Sequence, residues 1–166
     1  MDLVNAMVEH HAWLVGEMIE RASSLREEQL DAPIEISVKG IDDHPTIRSL
    51  LSRLVGQMAM WNATLDRRPY DFDVEHGETL ESMRTRLAIE GSTFLGTVRT
   101  GGEEDLLDDT FVDATCDPRE VFTHGGMIAH VLPFAAHRRT LVAGALIDAG
   151  ISDLGAGDPV HWVAER

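Results

Sequence analysis

One stretch limits the possible folds more than any other: residues 117–150, DPREVFTHGGMIAHVLPFAAHRRTLVAGALIDAG. It is the longest apolar-periodic segment, and Met127, Val131, Phe134, Leu141 and Leu146 follow the spacing of a largely buried helix. Asp117, Pro118 and Glu120 suit a helix start: an aspartate can cap, proline tolerates the first turn, and glutamate can reach back to the cap. Gly150 suits the left-handed residue that follows a helix end. The pair Gly125-Gly126 loosens the start, and Pro133 predicts a kink because it lacks a backbone donor. His130 and His137 lie two turns apart on one side of this helix, roughly 10 Å along its axis.

Three further helices precede it. The first is predicted over residues 3–27, where Val4, Met7, His11, Leu14, Met18, Ala22 and Leu25 form a stripe with His10 beside it. Trp13 reads as a packing or rim residue. Residues 28–45 form a long connection with alternating Ile34, Ile36 and Val38, an extended arm closed by Gly40. Asp42, Asp43, His44 and Pro45 then read as the start of a second helix over 45–66, with Pro45 in its first turn. Its buried stripe is Ile47, Leu50, Leu51, Leu54, Met58, Trp61 and Leu65, flanked by Arg53, Gln57 and Asn62. A third helix is predicted over 78–98, followed by an acidic stretch in which Phe111 and Val112 suggest an edge segment. Residues 151–166 read as a turn-rich tail docked by Val160, Trp162 and Val163. A single domain over 1–166 follows, an all-α four-helix bundle with long crossover connections.

Charge narrows the function. A net charge of −15 disfavours phosphate backbones and anionic lipid, so neither nucleic acid nor a membrane is an expected partner. The single cysteine, Cys116, leaves no internal disulfide and fits a reducing cytoplasm. It also precedes the expected start of the last helix, a position that can lower a thiol pKa. No nucleophile elbow, phosphate loop or dinucleotide fingerprint occurs, and no catalytic residue is assigned.

Histidines on facing helices of a bundle can hold a metal in its core. His11, His130 and His137 are the candidates, provided the kink at Pro133 lets them converge. The competing expectation is that they are hydrogen-bonded core or pocket residues. Arg53, Gln57, His130 and His137 are expected to line a pocket between the first, second and last helices. An arginine there would suit an anionic small molecule, since its planar fork engages both carboxylate oxygens.

The segments HHAWLVGEMIERASSLREEQL, TIRSLLSRLVGQMAMW and AHVLPFAAHRRTLVAGALIDAG resemble the signature helices of the DinB-like superfamily, which includes mycothiol-dependent maleylpyruvate isomerases and related thiol transferases. The resemblance covers nearly the whole chain. It implies a four-helix bundle, often dimeric, with a divalent metal such as zinc or nickel on three histidines and mycothiol as a conceivable thiol cofactor. On this chain the resemblance places those three ligands at Arg53, Pro133 and His137, so only His137 keeps the expected residue type. Two alternatives follow. One is a metal-free or vestigial small-molecule pocket; the other is a divergent thiol transferase or isomerase using a displaced site of His11, His130 and His137.

Overall fold

The computed structural model describes residues 3–36, 42–114, 117–153 and 157–164. Cys116, Val38 and Gly40 lie outside them, and with them the expectations placed on that thiol and on the end of the extended arm. The chain is mostly helical. Its elements are α1 (Leu3–Ala22), α2 (Glu27–Leu30), α3 (Ile47–Leu65), α4 (Leu80–Glu103), β1 (Thr110–Asp113), β2 (Glu120–Thr123), α5 (His124–Asp148) and α6 (Pro159–Ala164). A single 3-10 turn, Phe72–Glu75, sits between α3 and α4. No described helix is long and apolar enough to cross a membrane.

The four long helices pack on one another: α3 lies against α4 and α5, and α1 against α4, α5 and α3. The predicted stripe of α3 supplies much of the core, but on α1 the buried face is shifted: Val8, Val15 and Ile19, outside the predicted stripe, are fully buried, whereas Met7 is exposed. Ile19, Leu50, Leu51, Leu54 and Leu146 are fully buried in one cluster. Met58, Phe94, Met127 and Val131 form another, with Trp61 at its edge. Each such side chain removed from water contributes about 1.5–3 kcal/mol, which is why an interrupted sequence still closes around this core.

Several boundaries differ from the sequence-based expectation. The first helix stops at Ala22 instead of residue 27. Ser23 Oγ donates to the Glu20 carbonyl at 2.5 Å and Ser24 Oγ to that of Arg21 at 3.1 Å, local bonds that compete with helix continuation. The chain then makes the one-turn α2, which buries Leu30. Pro45 does not open α3. Its carbonyl accepts from Ile34 N–H at 2.8 Å, and Thr46 caps the helix through Ser49 N–H at 3.1 Å. The extended arm survives among the described residues as one bridge, Pro33 to Thr46.

The start of α5 is the largest correction. Asp117, Pro118 and Glu120 do not open it; Thr123 does, accepting from Gly126 N–H at 2.9 Å. Residues 120–123 pair antiparallel with 110–113 instead, Phe122 opposite Phe111. Both rings meet Trp61 edge-on, at 5.6 and 5.9 Å between centroids. Burying two aromatic rings on a tryptophan outweighs one more helical turn. At the other end Gly150 takes the left-handed conformation, φ 95°, as its position predicts. Among the described tail residues, Trp162 is buried and Ile151 packs on the core, while Val160 and Val163 are exposed.

Charged side chains are also built into the interior. Glu78 lies between Arg86 (2.6 Å) and Ser52 Oγ (2.6 Å), joining α4 to α3. Burial pushes its carboxyl up, but the Arg86 and Ser52 hydrogen bonds outweigh that and hold it below the ordinary range.

Candidate functional site

Asp42 is fully buried just before α3. Arg138 of α5 gives its Nε to both carboxylate oxygens, at 3.1 and 3.0 Å. Arg53 of α3 gives Nη1 to Oδ1 at 2.9 Å. One carboxylate thus fastens two guanidiniums from two helices, and its burial is tolerated because both oxygens are satisfied by charged donors.

These arginines line a cavity of about 190 Å³ with Gln57, Tyr70, Glu75, His130 and Phe134. Spacing explains the α5 contribution: His130, Phe134 and Arg138 recur every four residues and so share one side of the helix. The His130 ring stacks on Phe134, 5.1 Å between centroids, and Arg138 lies 4.9 Å over the same phenyl ring. Desolvation, then the Arg138 cation, lowers the His130 pKa, so its imidazole is neutral at neutral pH. Gln57 links the two helices more loosely, donating to the His130 carbonyl and accepting from Arg138, each at 3.5 Å.

The opposite wall comes from the segment after α3. Glu75 reaches Arg53 Nε at 3.4 Å. Gly56 lets this segment approach: a Cβ there would sit 2.7 Å from both the Glu75 carboxylate and the Tyr70 hydroxyl. Burial pushes the Tyr70 hydroxyl up to about 12, against the opposing pull of Arg86, so it remains a donor throughout the physiological range.

Arg53, Gln57 and His130 therefore meet as expected, but His137 does not line this cavity, and α1 contributes nothing to it. The cavity lies between α3, α5 and residues 70–75, not between the first, second and last helices. His11, His130 and His137 are not brought together either. His11 of α1 meets Arg139, whereas His130 meets Phe134 and Trp61. Pro133 does not break α5, which runs through it. Among the described residues no three His, Cys, Asp or Glu side chains form a group that could hold a metal ion.

The metal implied by the DinB-like resemblance does not fit the side chains present. Opposite Arg53 stand Phe134 and Arg138, each one residue beyond the Pro133 and His137 that the resemblance names. Two guanidiniums and a phenyl ring offer no lone pair to a cation, and the carboxylates beside them, Asp42 and Glu75, are both engaged by arginine. Sequence reading missed Arg138, Phe134 and Asp42. The four-residue recurrence from His130 could have found the first two, but Asp42 looked like an ordinary helix-start residue. No protein-family model matches the chain, and neither do any curated protein or solved structure with which it was compared.

Proposed function

We propose that the Asp42-centred cavity is a metal-free binding site for a small organic carboxylate, on a DinB-like four-helix bundle with long crossover connections, in a cytoplasmic protein. The observation that carries this reading is the double use of Asp42. It fixes Arg53 and Arg138 side by side, and among the described residues Nη2 of each has no hydrogen-bond partner. Two preorganised guanidinium edges beside the Phe134 and Tyr70 rings suit a carboxylate with a flat apolar body, because their ordering is complete before binding.

The test is a thermal-shift and calorimetric titration with benzoate, run at low and high salt, on metal-analysed protein purified without a metal-affinity column. Saturable stabilisation that weakens with salt, and is reduced about tenfold or more in Arg53→Ala, is the expected result. About one zinc, nickel or iron per chain, lost on mutating His137, would overturn it in favour of a metal-dependent thiol transferase.

A further inference from the structure

A second cavity, of about 600 Å³, lies between α1, α5 and α6. Met7, Leu14, Leu132, Pro133 and Trp162 make it largely apolar. His10 holds the far wall in place, bonding the Gly157 carbonyl through Nε2 at 2.9 Å and meeting the Trp162 ring edge-on at 5.4 Å. Among the described residues, one formally charged side chain lines it: Arg139.

Arg139 is exceptional in this chain. The other inward arginines each carry a carboxylate: Arg48 has Asp31, Arg86 has Glu78, and Arg53 and Arg138 share Asp42. The only partner of Arg139 among the described residues is His11 Nδ1, at 2.5 Å from Nη1. That imidazole cannot neutralise it. Burial, then Arg139 and His10, holds His11 down at about 3, so its Nδ1 accepts as a neutral group. The tautomer that results places the ring proton on Nε2, which is buried with no partner among the described residues. Burial alone lowers the Arg139 pKa, with no carboxylate acting against it.

In a protein with 29 acidic residues, no described carboxylate is set against this one partly desolvated cation. An unpaired charge beside apolar walls is costly unless its counter-charge arrives from outside.

We propose that this cavity binds a medium-chain monocarboxylate, with the carboxylate on the Arg139 guanidinium and the alkyl chain along Leu132, Met7 and Trp162. One cation calls for one negative charge. A dianionic phosphate would leave its second charge against apolar walls, and a neutral alcohol would leave the guanidinium unpaired. The site is independent of the Asp42-centred cavity, with which it shares no lining residue.

The experiment is isothermal titration of the full chain with decanoate and, separately, with decanol. One decanoate per chain is expected, with affinity reduced about tenfold or more in Arg139→Met and unchanged in Arg53→Ala. Ala136→Trp, which fills the cavity and keeps the charge, should also abolish binding; thermal melts verify that each variant folds. Equal binding of decanoate and decanol, equal binding by parent and Arg139→Met, or no binding would each overturn the proposal. Sedimentation showing a dimer that Ala136→Trp dissociates would overturn it too, by assigning the cavity to a second copy of the chain.

Discussion

At the scale of single residues, His11 is the side chain with the clearest consequence for stability. In the unfolded chain it takes up a proton below about pH 6.5, whereas in the folded protein it does so only at about 3. Between those values the unfolded state binds more protons, so stability falls as pH falls, by at most about 1.4 kcal/mol per pH unit. His11→Asn should flatten the dependence of unfolding free energy on pH between pH 6.5 and 5, and urea denaturation across that range checks it. A variant as acid-sensitive as the parent would mean that His11 already binds its proton in the folded state. The inward position of His11 was legible from a 3.6-residue stripe. Its partner was not. Nothing in the sequence paired Arg139 with it, because sequence shows where a charge is and not what covers it.

At the scale of elements, α5 illustrates how tertiary contacts displace a good local signal. Asp117, Pro118 and Glu120 satisfy every rule for a helix start, yet residues 120–123 are strand. The decision was taken by Phe122 and Phe111 meeting on Trp61, a contact with α3 that no local reading contains. Thr123 is then the working cap. Thr123→Ala should cost about 1 kcal/mol in urea unfolding, while Asp117→Ala should be within about 0.5 kcal/mol of the parent. The reverse order would restore the cap to Asp117. The stripe of α3, by contrast, was readable from its apolar spacing, because one buried face is enough to fix it, whereas on α1 the reading put the exposed Met7 on the seam and left out Val8, Val15 and Ile19. The cavity beside Arg53 was half readable. Arg53, Gln57 and His130 came from facing helices, whereas Tyr70 and Glu75 came from a turn whose docking depends on the absent side chain of Gly56.

At the scale of the whole molecule, the acidic exterior and the arginine-centred interior are separate designs. Net charge describes the first and says nothing about the second. The last element also stands apart from the rest. Of the residues of α6, only Trp162 is buried, and the chain approaching it is held to α1 through backbone carbonyls, Asp153 by Arg21 at 2.8 Å and Gly157 by His10. So few buried contacts make α6 a unit that opens while the four long helices stay closed. Its amides should exchange with deuterium well before those of α3, with α1 retaining protection. Simultaneous exchange of α6 and α3 would show instead that the tail belongs to the cooperative core. Since α6 forms one wall of the Arg139 cavity, this local opening also widens that cavity. An occupant held against Trp162 would then register as slowed exchange along the whole of α6.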